Sequence, residues 1–405
     1  MDYRQDPQKQ IGFLQQCFSS NKKPLGLFLG AGCPMGVRLG GENNPPLIPD
    51  VAGITKAVSD SLAKSEEYAP LLKTIENHFK KDGRNGANVE DVLTHIRSLR
   101  AVAGNDEVRG LSSANLDKLD ERICEIIYEL VNKSLPNTDT PYHRVASWVD
   151  GVERDVPVEI FTTNYDLLME QALEDRRVPY FDGFAGVRKP FFDLRAMEED
   201  ALPPRWARLW KLHGSINWYQ AEKKGVLRGA TNEAGLKRVI HPSHLKYEES
   251  RRMPYLAMID RVRAFLKKST STLVLCGYSF RDEHINEVIV QGLQGTQTAI
   301  AFSLLFGKIS EYPDAVKLAI QRPNLSLLAR DGAVISGRET MWAERDADAA
   351  ASSSNKWVMW TPTDVANANS KHTAQFTLGD FAIFGEFLHE LIGSVHQTAE
   401  APNAK

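Results

Sequence analysis

Apolar and polar positions along this chain fall into blocks of two kinds. "LGLFLG" at 25–30 is a continuous apolar run that breaks into glycine. Such a run predicts a strand buried on both faces, as in the middle of a parallel sheet. Four later runs have the same character: "VPVEIF" at 156–161, "ARLWKLH" at 207–213, "TLVLCG" at 272–277 and "TAIAFSLLF" at 298–306. Helical patterns at 165–174, 253–268 and 282–292 separate most of them. This alternation predicts an α/β protein with a Rossmann-like parallel sheet and helices on both faces. From about 51 to 150 the period is helical throughout, with Val89, Leu93, Ile96 and Leu99 on one stripe and Leu116, Leu119, Ile123, Ile126 and Leu130 on another. An inserted helical module is expected there.

The flanks read differently. Residues 6–19 place Ile11, Leu14 and Phe18 on one face behind Asp6 and Pro7, a cap and first turn for a leading helix. "LSLLARDGAVIS" at 325–336 predicts one or two edge strands turning at Asp331–Gly332. The small and polar residues 343–355 predict a mobile loop. A helical pattern returns at 376–393, with Phe384, Phe387, Leu388 and Leu391 together. The expected division is a leading helix at 1–24, a core domain at 25–330 that carries the module at 51–150, a small α/β extension at 331–395 and a disordered tail at 396–405.

Composition narrows the function. The chain has 405 residues, 42% of them hydrophobic and 25% charged, with a formal net charge of −3. That balance offers no clustered basic face, so direct nucleic-acid binding is not supported. No stretch approaches the roughly 20 apolar residues that span a bilayer, and the N-terminus is polar, so a cytoplasmic protein without a membrane segment is expected. The four cysteines, Cys17, Cys33, Cys124 and Cys276, form no C-x-x-C pair, which excludes a four-cysteine zinc site.

In an open parallel sheet, ligands sit beyond the carboxyl ends of the strands. The residues at those ends are Gly30-Ala31-Gly32-Cys33, then Thr162-Thr163-Asn164-Tyr165-Asp166, then His213-Gly214-Ser215, then Gly277-Tyr278-Ser279. Taken singly, each has a plain structural reading. Gly-x-Gly is also a tight turn, Asn164 and Asp166 also suit a helix cap, and a histidine at a strand end is also a structural hydrogen-bonding residue. Gly30, Gly32 and Gly36 form G-x-G-x-x-x-G, which departs from the dinucleotide fingerprint of dehydrogenases. Pro34 disfavours helical geometry at Cys33, so no helix is expected to start directly on a phosphate. Asp282 in "SFRDEHINEV" reads as a helix cap and His143 as a packed side chain. His241 and His244 in "HPSH" lack a third ligand for a metal. Neither a nucleophile elbow nor a phosphate-binding G-x-x-x-x-G-K-[ST] is present.

The ordered set "GAG", "TTNYD", "LHGS" and "GYSF" resembles the sirtuin family over about residues 25–330. The resemblance implies a sheet that binds NAD+ and cleaves its nicotinamide–ribose bond, with NAD+ as substrate. It implies NAD contacts from Gly30, Ala31, Gly32, Cys33, Asp50, Thr163, Asp166, Gly277, Tyr278 and Ser279, and catalytic roles for Asn164 and His213. Two departures matter: the zinc module of the deacylases cannot be built, and Asp50 is followed by Val51-Ala52-Gly53 where the family usually carries an arginine. The chain is therefore similar to the bacterial sirtuin-like proteins of antiphage defence, which hydrolyse NAD+. Within those it is similar to the partner of a HerA-type hexameric ATPase, which implies a homo-oligomer gated by that assembly. An NAD-dependent protein deacylase and a non-catalytic nucleotide-binding subunit are the competing expectations.

Overall fold

A computed structural model describes residues 4–40, 44–84, 86–221, 225–229, 237–240, 254–364, 367 and 370–399. His241 and His244 lie outside the described residues.

The apolar runs form the strands of one sheet: β1 (Leu25–Leu29), β2 (Glu159–Thr162), β3 (Tyr180–Phe181), β4 (Ala207–Lys211), β5 (Thr272–Cys276), β6 (Ile300–Leu304), β7 (Leu325–Leu328), β8 (Gly332–Ile335) and β9 (Arg338–Met341). Their order across the sheet is β9-β8-β7-β6-β5-β1-β2-β4-β3. The pairs from β7 through to β3 are parallel, and β8 and β9 extend one edge antiparallel. Alternation within each strand separates two cores. Leu25, Leu27 and Leu29, with Ile160, Leu209 and Val274, face one cluster. Phe28, Phe161, Trp210, Leu273 and Leu275 face the other. Burial on both faces explains why these strands read as unbroken apolar runs.

The first cluster is covered by α1 (Pro7–Ser19), by the module α2 (Val51–Ala63), α3 (Ala69–Lys81), α4 (Val89–Ala103) and α5 (Ser113–Val131), and by α6 (Pro141–Gly151) and α7 (Leu168–Asp175). After α8 (Leu194–Glu199), the second cluster takes α9 (Tyr255–Leu266), α10 (Glu283–Gly295) and α11 (Pro313–Gln321). Beyond α12 (Ala347–Ser353), α13 (Phe381–Ala399) returns to the first cluster. There Phe384 and Phe387 meet Phe18 of α1 at ring distances of 5.7 and 6.0 Å. Among the described residues, no helix is long and apolar enough to cross a membrane.

Several expectations need correction. Cys33 takes right-handed helical geometry (φ −64°, ψ −45°) and opens a 3-10 turn at Pro34–Gly36. The turn is closed on Cys33 by its carbonyl, which accepts from the Gly36 N–H at 3.0 Å, and this outweighs the steric preference against helical angles before proline. Residues 343–355 are not an open loop: they hold a short strand at Glu344–Arg345 and helix α12. The helix expected to begin at 165 starts at Leu168, because Asp166 accepts from the Leu168 N–H and holds the segment before it open. A second, five-stranded sheet between Phe184 and Ile240, with shorter strands around the eight-residue strand Gly214–Ala221, was not expected at all.

Candidate active site

The connection from β1 runs to β2 on one side, and that from β5 runs to β6 on the other. The crevice between β1 and β5 is therefore the switch point where a ligand belongs in such a sheet. The two loops that leave these strands are stitched together. The Gly30 N–H donates to the Cys276 carbonyl and the Gly32 N–H to the Gly277 carbonyl, both at 2.9 Å. This crossing is what requires glycine. A Cβ on Gly30 would stand 2.3 Å from the Gly277 carbonyl oxygen. One on Gly277, itself at φ +67°, would stand 2.6 Å from the Cys33 nitrogen. Cys33 is buried behind the loop, its thiol donating to the Cys276 carbonyl at 3.2 Å. Burial pushes that thiol well above its ordinary range, so it is no nucleophile.

The loop after β2 is pinned to the first. Thr162 Oγ1 donates to the Leu29 carbonyl at 2.8 Å and accepts from the Asn164 N–H at 3.0 Å. Asn164 Nδ2 then donates to the Gly30 carbonyl at 3.1 Å. Behind it, the buried Lys211 of β4 bonds to the Asp166 carbonyl and lies 2.8 Å from Glu170 Oε1. The Asp166 carboxyl is buried, and desolvation pushes it up to about 6 against the opposing pull of Lys211.

His213 follows β4 directly and is fixed by the bond from the Leu212 N–H to the Thr162 carbonyl. Its Nε2 lies 2.9 Å from Asp282 Oδ2, a pair that is ionic only when the imidazole is protonated. The other carboxylate oxygen of Asp282 caps α10 by accepting from the Ile285 N–H at 3.2 Å. The ring of Tyr165 lies 6.3 Å from that of His213. In the loop after β5, Tyr278 turns its side chain into the core. There its ring sits 4.8 Å from Phe28 and its hydroxyl donates to Asn286 at 2.8 Å. Phe280 is held at φ +59°, a costly conformation for a bulky residue, by burial and by the bond from Asn286 to its carbonyl.

These loops surround a cavity of about 730 Å³. Ala31, Gly32, Asp50, Thr163, Asn164, Asp166, His213, Gly277, Tyr278 and Ser279 all line it. Gly30 and Cys33 lie behind the wall they shape. Asp50 caps α2 through the Gly53 N–H at 2.8 Å. Much of the remaining wall comes from places that motif reading missed. Asn88 and Glu90, in the first turn of the helical module's α4, face the cavity, as do Arg281 and Asp282 beyond the strand-end motif and Phe306 beyond β6. Gly379–Ala382, the start of α13, complete it. Inspecting three more residues after β5 would have found Arg281 and Asp282, whereas nothing local marks 379–382.

Residues 158–315 match the family model described as a SIR2-like domain. The match covers Asn164, His213, Gly277 and Asp282, and leaves out the first glycine loop and α13. No curated protein matches the chain. Among solved structures, a chain from "Structural Basis for the Mechanism and Regulation of Sir2 Enzymes" is similar over 74% of this chain and 85% of its own, at 12% identity and a TM-score of 0.34.

Proposed function

We propose that this chain is an NAD+ hydrolase that cleaves the nicotinamide–ribose bond. The observation that carries the reading is the arrival of Asn164 and His213 at one cavity, opposite a glycine loop at the switch point, within a segment that matches a SIR2-like domain. The match to a SIR2-like domain supports NAD+ as the substrate. In the reaction, the bond from the ribose C1′ to the pyridine nitrogen breaks, and its electron pair leaves on neutral nicotinamide. Water attacks C1′ through an oxocarbenium-like transition state, its proton passing to His213 and then to solvent, and ADP-ribose results. Asn164 orients the water or the ribose hydroxyls. The first loop spends its Gly30 and Gly32 amides on the loop after β5, so the diphosphate is held by Arg38 and Arg281, the cations of the described cavity wall. The carboxylates of Asp166 and Glu90 favour a ribose that is becoming positive.

The physiological setting we propose is bacterial antiphage defence by NAD+ depletion, in a homo-oligomer gated by a HerA-like ATPase; it rests on the resemblance of the motif set. Purified chain, alone and with the ATPase, is incubated with NAD+ and with or without an acylated peptide. Hydrolysis without peptide is expected, reduced about 10²-fold or more in H213A and in N164A. Peptide-dependent acyl transfer would make the chain a deacylase, and binding without turnover in the assembly a non-catalytic subunit. Unchanged turnover in both variants would remove these residues from the site.

A further inference from the structure

The N-cap aspartate of α10 does more than capping requires. A cap uses one side-chain oxygen on the first-turn amides, and serine, threonine or asparagine serves as well as aspartate. Asp282 gives that oxygen to Ile285, while its second oxygen lies 2.9 Å from His213 Nε2. The side chains of His213 and Asp282 are 9% and 13% exposed, so water screens their interaction little. The N-terminus of α10 favours the negative charge of the carboxylate it carries. The imidazole is held from one side by a rigid helix start and from the other by the end of β4.

We propose that Asp282 is the positioning residue for His213, holding the imidazole in the tautomer that carries its proton on Nε2 and leaves Nδ1 as the proton acceptor. This rests on the hydrolase reading for its catalytic consequence and on geometry alone for the coupling. Stabilisation of the imidazolium that forms when His213 takes the proton from water falls to the same carboxylate. The polypeptide thus links the loop after β5, Gly277-Tyr278-Ser279, to the proton acceptor through the next three residues, Phe280-Arg281-Asp282.

D282N separates the two duties, because asparagine caps a helix as well as aspartate but carries no charge and can present an N–H to Nε2. In the assembled, active protein, D282N is expected to lower kcat about 10²-fold while KM for NAD+ stays within about threefold and the urea midpoint is unmoved. In an H213A background the same change is expected to cost nothing further. An equal loss in both backgrounds, or a loss carried by KM, would overturn the proposal. A second measurement is independent of turnover: the titration of His213 followed by NMR of ring-labelled histidine. Among the described residues, Asp282 from α10 and Tyr165 from the loop after β2 face the imidazole, and the charge of Glu90 from α4 acts on the Tyr165 hydroxyl. D282N alters only the first, so the His213 midpoint is expected to fall by about one pH unit or more. An unmoved midpoint would overturn the coupling even if the chain proved not to hydrolyse NAD+ at all.

Discussion

Gly277 and Asp166 show how single residues set the limits of this site. Gly277 combines a left-handed backbone with a near-contact on Cys33, so both faults of a side chain arise together. G277A is expected to cost about 3 kcal/mol or more in urea unfolding, with loss of NAD+ binding in the fraction that folds. A variant within 1 kcal/mol of the wild type would show that the two loops do not pack as described. Asp166 makes a prediction of opposite kind. Its folded carboxyl titrates at about 6, above the value of about 4 expected in the unfolded chain, so the folded state takes up the proton first. Its contribution to stability therefore rises as pH falls from about 7 towards 4 and is lost again as pH climbs through 6. D166N removes that slope. The stability difference between pH 5 and pH 7 should shift by about 1 kcal/mol relative to the wild type, and an unchanged difference would place Asp166 in water.

At the scale of elements, the first loop packs closely under the last helix. Gly36 lies beneath α13, where a Cβ would stand 3.0 Å from that of Phe381 and 3.1 Å from the Ala382 nitrogen. One turn on, Phe384 is fully buried against Phe18. F384A is expected to destabilise the fold by about 3–5 kcal/mol and to weaken NAD+ binding, because Gly379–Ala382 wall the cavity. Calorimetry and equilibrium binding on the same preparation test both halves. A loss of stability with unaltered affinity would detach α13 from the site. The central parallel strands were legible because they are buried on both faces and so spell themselves out in consecutive apolar residues, whereas the two-residue, half-buried β3 was not. The five-stranded sheet between Phe184 and Ile240 was not, since strands as short as Phe184–Ala185 and Phe191–Phe192 carry too few residues to establish a period of two. Nor was the second duty of Asp282, whose capping role is written in the next three residues while its contact with His213 spans 69 positions, a distance that only the tertiary fold closes.

For the whole molecule, the cavity is a meeting of parts that are remote in the chain. The sheet contributes five loop ends, the helical module adds Asn88 and Glu90 at the start of α4, and α13 adds its first turn. The SIR2-like match spans only the middle of this set. The module and the final helix are therefore the places where this protein's own control over the reaction would be exerted. Insertion of a flexible Gly-Ser linker at the exposed Gly83, where a Cβ would meet open space, is expected to leave the cavity and turnover intact. Lost turnover in a folded insertion variant would show that the module must stay rigid for the site to work.

The seat of Phe381 on Gly36 also has a consequence in time. A chain emerges from the ribosome N-terminus first, at roughly 5–20 residues per second. The glycine loop, Asn164, His213 and Asp282 are all synthesised before the helix that closes the wall over them. On the proposed reading, an NAD+ hydrolase endangers the cell that makes it, and the nascent polypeptide lacks a finished site until residues 379–382 arrive.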